Sequence, residues 1–349
     1  MNIVEVQDLT TGYSSKNGDK VIGQYPSLQL EKGDFVALIG KNGVGKSTLL
    51  KTLSGDISPL KGEVKILNKK VDELSSLDKS KQISFVLSQV HFTGKLSVKD
   101  VVTLGRYPYV NWWGKLSKSD NDIVLQALED VGAIDFIDRD VNTLSDGERQ
   151  KVMIARAIAQ DTSLILLDES TAHLDLINRI EIFQLLKKIA RTRNKAILLS
   201  THEVEMSLQV ADKLWILSEN KCIVGTPDMI ISKNDIGNVF NTETVGFDTQ
   251  NGVFNFCATH KSFSFGIELE PSINDYNGDL NIENRVLWLK RKFQSEGCFL
   301  TNETPEIKIS LSYKNDILEW EIEGFGKVIK IHDHNKTDLY KEVVSNFII

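Results

Sequence analysis

The residues best suited to chemistry form a glycine-rich segment that matches the phosphate-loop pattern at every fixed position: Gly40, Lys41, Asn42, Gly43, Val44, Gly45, Lys46 and Ser47. An apolar run over residues 34–39, which predicts a buried strand, precedes the segment, and a helix is predicted to begin near Lys46. Glycines let successive backbone N–H groups point at an anion, and the helix dipole adds positive potential. The segment predicts nucleotide binding; the alternative is a glycine-rich turn without a ligand.

Three side chains at the end of this loop have predicted roles toward a nucleoside triphosphate and its metal ion. Lys46 is expected to bridge the β- and γ-phosphates, Ser47 to place its hydroxyl on Mg²⁺, and Thr48 to reach toward the α-phosphate. The loop therefore predicts ATP and Mg²⁺ as the bound pair.

Two acids follow a second apolar run, residues 164–167. An acid at the end of a buried strand is costly unless it leaves the core at the carboxyl edge of the sheet, where open α/β sheets bind ligands. We expect Asp168 to orient Mg²⁺ and Glu169 to position or deprotonate the attacking water. The alternative is that both are solvated loop acids.

The segment Leu144, Ser145, Asp146, Gly147 and Glu148 predicts a helix start, because Ser145 and Glu148 have the spacing of a capping box. Apolar residues at near-helical spacing follow it. A capped helix N-terminus that carries a hydroxyl and a glycine N–H is also suited to bind an anion. The structural and the functional interpretations of this segment are compatible.

Together these motifs resemble the nucleotide-binding subunit of ABC transporters. The segment LSDGE shares three of five positions with the family signature LSGGQ, which completes the ATP site of a partner copy. Asp146 and Glu148 are the departures. A carboxylate at Asp146 would lie near the γ-phosphate of the facing subunit, so either it turns away to cap its helix or ATP binds less tightly than is usual in the family.

The resemblance extends to four further positions. It implies that Tyr13 stacks on adenine, that Gln89 contacts Mg²⁺ or the water and links the site to the membrane partner, and that His202 senses the γ-phosphate. Asp175 corresponds to the D-loop residue that crosses between subunits. Without the resemblance, Tyr13 would be interpreted as a core or surface residue, and Gln89 would have no indicated role. His202 would be interpreted as a structural histidine.

Composition limits the other classes of function. A length of 349 residues with 41% hydrophobic and 26% charged residues indicates a globular chain with one large or two moderate domains. A net charge of -7 and scattered Lys and Arg argue against nucleic acid or an anionic membrane surface as a partner.

The cysteines and the hydropathy pattern indicate where the chain works. Cys222, Cys257 and Cys298 are odd in number and lack C-x-x-C spacing, which disfavours disulfides and structural zinc and favours a reducing compartment. No segment approaches the roughly 20 apolar residues of a membrane span, and residues 1–10 lack a signal-peptide core. If the chain serves transport, we expect the pore on another chain.

Residues 1–235 hold every motif above and alternate strand-like and helix-like runs, which predicts one α/β ATPase domain of the P-loop type. A helical subdomain is expected at about 90–145. Within it, residues 104–109 (LGRYPY) resemble the segment of iron-siderophore, haem and vitamin B12 importer ATPases that meets the permease. The alternative is a proline-terminated helix end with exposed aromatics.

A small accessory α+β domain is predicted over residues 240–349. Alternating apolar residues over 307–313 and 318–322 predict a hairpin, apolar residues over 282–293 predict a helix ending at Gly297, and residues 339–347 predict a final helix. His332 and His334 could hold a metal, but two histidines in a polar loop are usually solvated. The role of this domain is open.

These features predict the ATP-hydrolysing subunit of a metal-chelate importer, peripheral on the inner, cytoplasmic face of the cell membrane. The resemblance implies a homodimer bound to integral-membrane permease subunits and linked only indirectly to an external substrate-binding protein. The alternatives are a soluble ABC ATPase that remodels ribosomes or DNA-repair complexes, and the ATPase of an exporter. The absence of a second cassette and of a long coiled coil disfavours the first.

Overall fold

The computed structural model describes residues 1–16, 18–87, 92–110, 116–171, 173–219, 221–256, 264–276, 281–295, 298–301, 304–315, 317–332 and 339–347. The chain forms two compact units, Met1–Val239 and Phe240–Ile349. None of the helices in these described ranges is both long enough and apolar enough to cross a membrane.

Among the described residues, the first unit contains ten strands and nine α-helices, the last of which ends one residue beyond it. The strands are β1 (Asn2–Tyr13), β2 (Lys20–Glu31), β3 (Phe35–Gly40), β4 (Lys61–Ile66), β5 (Lys69–Lys70), β6 (Ile83–Val86), β7 (Leu164–Asp168), β8 (Ala196–Ser200), β9 (Lys213–Ser218) and β10 (Lys221–Gly225). The helices are α1 (Lys46–Leu53), α2 (Ser76–Gln82), α3 (Val98–Thr103), α4 (Lys118–Asp130), α5 (Asp146–Ala159), α6 (Leu176–Thr192), α7 (Val204–Val210), α8 (Pro227–Ser232) and α9 (Asp235–Phe240).

A six-stranded sheet in the order β10-β9-β3-β8-β7-β6 forms the centre of the first unit. Its strands are parallel except for β10, which runs antiparallel to β9. Every residue of β3 and β8 is buried, as expected for parallel strands covered on both faces. The carboxyl ends of β3, β7 and β8 therefore lie side by side at one edge.

A second, antiparallel sheet in the order β2-β1-β4-β5 shares a hydrophobic core with the first. Helix α1 contributes Leu49, Leu50 and Leu53 to that core, together with Leu9 of β1 and Trp215 of β9. Burying one face of α1 in this way fixes its N-terminus, and with it the glycine-rich loop, at the carboxyl end of β3.

The described residues between β6 and α5 are mostly helical, as predicted from the sequence. Capping boxes begin both α3 and α4, with Ser97 and Ser117 as the N-caps and Asp100 and Asp120 as their partners. A 3-10 turn over Leu104–Tyr109 contains Pro108, so the GRYPY segment is the irregular end of α3. Both α3 and α4 pack against α5.

The second unit is an α+β structure. Its strands are β11 (Val245–Asp248), β12 (Val253–Phe256), β13 (Ser264–Leu269), β14 (Phe299–Leu300), β15 (Ile307–Lys314), β16 (Ile317–Gly324) and β17 (Lys327–His332), and its helices are α10 (Ile282–Ser295) and α11 (Leu339–Phe347). A five-stranded sheet in the order β14-β13-β15-β16-β17 buries one face beneath the two helices. The predicted hairpin is β15 and β16, and Gly297 lies outside the described residues.

The histidine pair of the second unit is only partly described. His332 ends β17, with its Nδ1 atom 3.6 Å from Oε2 of Glu319, and His334 lies outside the described residues. In the described part of the chain, no cluster of three His, Cys, Asp or Glu side chains is arranged to hold a metal ion.

Candidate functional site

The glycine-rich loop lies between β3 and α1 and depends on a left-handed backbone. Gly43 and Gly45 have φ angles of 76° and 107°, which other residues adopt only with strain. A Cβ atom on Gly45 would lie 2.6 Å from Cγ2 of Ile22. The local fold therefore requires glycine at position 45, independently of any ligand.

The Lys46 side chain is buried at the first position of α1. Its ammonium donates a hydrogen bond to the carbonyl of Gly40 at 2.9 Å, and it lies 3.8 Å from Oε1 of Glu169. Burial lowers the pKa of Lys46, while the nearby charges of Glu169 and Asp168 oppose that shift. The loop thus places one cation directly beside the acids that end β7.

Asp168 joins three elements through a single carboxylate oxygen. Its Oδ1 atom accepts hydrogen bonds from Ser47 Oγ at 3.1 Å and from Ser200 Oγ at 2.7 Å. Ser200 ends β8, and no sequence motif indicated a role for it. The oxygens of Ser47 and Asp168 form a donor set that suits Mg²⁺, an ion that prefers oxygen ligands.

Glu169 has a strained backbone, with a φ angle of 47°. Its backbone N–H donates to Ser200 Oγ at 3.0 Å, which holds the residue just beyond the end of the strand. The carboxylate Oε1 lies 2.8 Å from Nε2 of His202. Both side chains face a small cavity that Thr171, Thr201 and Glu203 complete.

Tyr13 lies at the end of β1, close to the same helix start. Its hydroxyl is 3.3 Å from Oγ1 of Thr48, and its side chain is exposed. An exposed ring anchored through its hydroxyl leaves a face open to a flat ligand. The structure therefore brings Tyr13 and Thr48 into contact.

The segment Leu144–Glu148, hereafter the signature turn, begins α5 through the predicted capping box. The backbone N–H of Glu148 donates to Ser145 Oγ at 3.3 Å, and Ser145 N–H donates to Oε2 of Glu148 at 2.9 Å. These bonds hold the pKa of Glu148 below its ordinary value. Asp146 is not the cap; its exposed carboxylate pairs with Arg149 at 3.3 Å.

Gly147 of the signature turn packs against the first turn of α6. A Cβ atom on Gly147 would lie 2.5 Å from Oδ1 of Asn178. The Asn178 amide donates in turn to Oδ2 of Asp175 at 2.9 Å, and its backbone N–H donates to Oδ1 at 2.8 Å. Asp175 therefore caps α6 and contacts the signature turn through Asn178.

The predicted residues fall into two groups in space. The first surrounds the end of the central sheet and contains the loop from Gly40 to Thr48 with Tyr13, Asp168, Glu169 and His202. The second is the signature turn with Asp175. Gln89 lies outside the described residues. No motif in the sequence indicated Ser200 or Asn178; the available signal for Ser200 was its position at the end of an apolar strand.

Comparison with known proteins identifies the family. A family model described as ABC transporter matches residues 24–172. The achromobactin transport ATP-binding protein of Dickeya dadantii is 35% identical over 244 residues, which cover 70% of this chain and 89% of that protein. The chain belongs to the ABC transporter family, and it is an ATPase cassette of that family.

Two solved structures are similar to the first unit. A proposed metal-chelate type ABC transporter in an inward-facing conformation is 30% identical with a TM-score of 0.60, and the match covers 69% of this chain and 89% of that chain. The dimeric structure of a bacterial ABC transporter cassette is 26% identical with a TM-score of 0.56, over 64% of this chain and 98% of that one. The predicted α/β fold of the P-loop type is confirmed.

Proposed function

We propose that this ATPase energises the import of a metal chelate, of the iron-siderophore, haem or cobalamin class, through a separate membrane permease. The observation that carries the catalytic part is the convergence of Lys46, Ser47, Asp168, Glu169 and His202 at one edge of the central sheet. The relatives support the metal-chelate part, since one is an achromobactin transport ATP-binding protein and another is a transporter of metal-chelate type.

ATP is expected to bind with its phosphates in the loop from Gly40 to Thr48 and its adenine against Tyr13. Lys46 would exchange its bond to the Gly40 carbonyl for the β- and γ-phosphates, because phosphate oxygens carry more negative charge. Ser47 and Asp168 would hold Mg²⁺, with Gln89 as a further ligand inferred from the sequence. When bound, the ion neutralises developing phosphate charge.

Glu169 is the group proposed to position or deprotonate the attacking water. Its carboxylate is accessible, and its contact with His202 at 2.8 Å links the acid to the residue proposed to sense the γ-phosphate. A catalytic base must lie within hydrogen-bond reach of the proton it takes. The strained backbone of Glu169 fits such a role, since strain concentrates at functional sites.

The signature turn is proposed to complete the ATP site of a second copy. Its glycine N–H and the Ser145 hydroxyl lie at a helix N-terminus, where an anion is stabilised. A γ-phosphate bound by Lys46 of one copy and by the signature turn of the other would close a homodimer, and hydrolysis would reopen it. The dimeric cassette supports this arrangement.

The permease is proposed to bind near the GRYPY segment, on the cytoplasmic face of the membrane. Arg106 in that segment is buried, pairs with Asp120 at 2.9 Å and donates to the carbonyl of Ala159. Tyr109 stacks on the Arg106 guanidinium at 4.0 Å. These contacts fix the segment to α4 and α5 and give a partner a rigid surface. An external binding protein would act only through the permease.

The second unit is proposed to serve dimer contact or regulation. The catalytic side chains named above all belong to the first unit. The second unit has a hydrophobic core of its own, built from residues of its sheet and of α10 and α11. An independently folded appendage without a share in the chemistry is expected to modulate the cassette.

Chelate uptake by the cells that naturally produce this protein tests the import proposal. Cells that carry only the Glu169→Gln protein are compared with wild-type cells for uptake of radiolabelled ferric hydroxamate, ferric catecholate, haem and cobalamin. We expect one of these chelates to lose its uptake while the others are unaffected. Unchanged uptake of all four would contradict the proposal, and a rise in cellular retention of a compound would indicate an exporter.

A further inference from the structure

The first turn of α6 connects the two groups of the candidate site through a pair of adjacent residues. Asn178 contacts Gly147 of the signature turn and bonds Asp175 with both its backbone N–H and its side-chain amide. The amide carbon of Asn178 would lie 2.6 Å from a Cβ atom on Gly147. No larger residue fits at position 147 while Asn178 holds this position. The signature turn and the first turn of α6 are therefore in direct contact.

Arg179, the next residue of the same helical turn, makes the second connection. Its Nε donates to the carbonyl of Leu174 at 2.9 Å, and its guanidinium forms an ion pair with Glu203. Glu203 follows His202 directly, and its backbone N–H donates to Oγ1 of Thr201 at 3.1 Å. We call Thr201–Glu203 the switch loop.

Asn178 and Arg179 therefore link two sets of contacts, because they are consecutive residues. Asn178 contacts Gly147 and Asp175. Arg179 contacts Leu174 and Glu203. From the switch loop the contacts reach Glu169, since His202 lies 2.8 Å from that carboxylate. Chains of packed side chains and hydrogen bonds carry coupling between two sites when they have two discrete arrangements and both sites bias the equilibrium between them.

We propose that Asn178 and Arg179 are positioning residues that transmit the position of the signature turn to His202 and Glu169 of the same chain. The inference rests on the proposed dimer, in which the signature turn contacts the ATP of the partner copy. When the signature turn of one chain contacts the partner's ATP, it would set the positions of His202 and Glu169 in the ATP site of its own chain. Neither residue contacts the reacting atoms, so both act through others.

A second contact between α5 and α6 provides a matched control. Lys151 of α5 and Glu181 of α6 form an ion pair at 2.7 Å, one turn beyond the contact between Gly147 and Asn178. Breaking this pair loosens α5 from α6 but leaves Asp175 and the switch loop untouched. Lys151→Ala therefore separates general packing of the two helices from the proposed transmission.

The test compares Asn178→Ala, Arg179→Met and Lys151→Ala in the full-length protein. We expect the first two to lower the kcat for ATP hydrolysis by roughly 10- to 100-fold, the range for misplaced catalytic groups. The KM for ATP and the melting temperature should stay near the wild-type values. Placed in the Glu169→Gln protein, both changes should leave ATP-driven dimerisation intact. Lys151→Ala should keep its kcat.

The double variant Asn178→Ala/Arg179→Met adds a second criterion. Because the two residues act in series, the kcat of the double variant should be no lower than the kcat of whichever single variant has the lower value. Additive losses would overturn the inference, as would a wild-type kcat in both single variants or a loss of dimerisation that accounts for the fall. If Asn178→Ala does not fold, Arg179→Met alone decides.

Failure of the proposed function has a different signature. A wild-type protein that does not hydrolyse ATP, or a Glu169→Gln protein that stays monomeric with ATP, would remove the dimer on which the inference depends. With both of these intact, an unchanged kcat in the α6 variants would overturn the inference alone.

Discussion

The hydroxyl of Ser47 donates to Oδ1 of Asp168 at 3.1 Å, although 121 positions separate the two residues in the chain. One belongs to the first turn of α1 and the other ends β7. The bond joins the phosphate loop to the acid proposed to hold Mg²⁺, so α1 and β7 together fix the relative positions of these two groups.

Lys46→Ala should lower ATP affinity by roughly 30-fold or more, since losing one partner of a buried charge pair costs about 2–5 kcal/mol. The side chain is 4% exposed, and its ammonium lies 3.8 Å from Oε1 of Glu169. Titration with a fluorescent ATP analogue measures the change. The control is Lys51→Ala on the same helix, which should bind normally. Near-normal affinity in Lys46→Ala would show that this loop is not the site.

Glu169→Gln keeps the shape and hydrogen bonding of the side chain but cannot accept a proton. Turnover should fall by roughly 10²- to 10⁴-fold while ATP still binds, because proton transfer by a positioned side chain contributes that factor. The trapped ATP should hold the protein as a dimer in gel filtration. The double variant Lys46→Ala/Glu169→Gln should remain monomeric. A folded Glu169→Gln protein that is monomeric with ATP would contradict the dimer mechanism.

Much of the spatial arrangement of the candidate site was predictable because the carboxyl ends of parallel strands meet at one edge of a sheet. Apolar runs before Asp168 and His202 place both residues there, and capping chemistry locates the start of α5 at Ser145. Ser200 was not predictable, because its two bonds to Asp168 and Glu169 depend on the register of β7 and β8. The contact of Asn178 with Gly147 depends on how two helices pack, which no local pattern encodes.

The departure of Asp146 from the family signature has a measurable consequence. Asp146 pairs with Arg149 at 3.3 Å on an exposed helix surface, and such pairs neutralise charge weakly. In the proposed dimer its carboxylate would repel the facing γ-phosphate. Asp146→Gly in the Glu169→Gln protein should therefore tighten ATP-driven dimerisation at low salt, and high salt should remove the difference.

Asp146→Asn is the matched control for this experiment, because it removes the charge but keeps the side-chain volume. It should tighten the dimer as Asp146→Gly does. Equal dimerisation of both variants and the parent would mean that Asp146 affects only helix stability, and weaker dimerisation would contradict a repulsive role. Sedimentation velocity at two salt concentrations gives the comparison.

Cys222 should resist alkylation at alkaline pH. It is partly buried in β10 and packs against the main core, and this burial raises the pKa of its thiol to about 12. The reactive thiolate is therefore rare in the folded protein at pH 9, whereas an unfolded chain titrates near its ordinary value. Iodoacetamide labelling, followed by mass spectrometry, should modify Cys222 in urea and spare it in buffer. Rapid labelling of the folded protein would refute this burial.

The same shift makes stability depend on pH in a defined window. A thiol whose folded pKa is raised contributes stability that is fully present below its unfolded pKa and is lost as pH rises toward the folded value. The urea midpoint should fall between about pH 9 and pH 11. Tyr25, whose pKa burial raises to about 12, acts in the same direction. Cys222→Ala should reduce the fall without abolishing it.

The second unit should be dispensable for ATP hydrolysis, because the proposed catalytic residues lie within Met1–Val239. The chain should be stopped at Val239, since an earlier stop at Lys233 would delete α9 and its fully buried Ile236. We expect the truncated protein to keep its kcat and its ATP affinity. Any change should appear in dimer stability or in the response to the permease, as proposed for an appended regulatory unit.

Two measurements decide between these outcomes. The melting temperature of the truncated protein, with and without ATP, shows whether the first unit folds alone and still binds nucleotide. Steady-state hydrolysis then compares it with the full-length protein at equal ATP. Complete loss of hydrolysis in a truncated protein that folds and is stabilised by ATP would mean that the second unit supplies part of the active site, and the proposed division of labour between the units would be wrong.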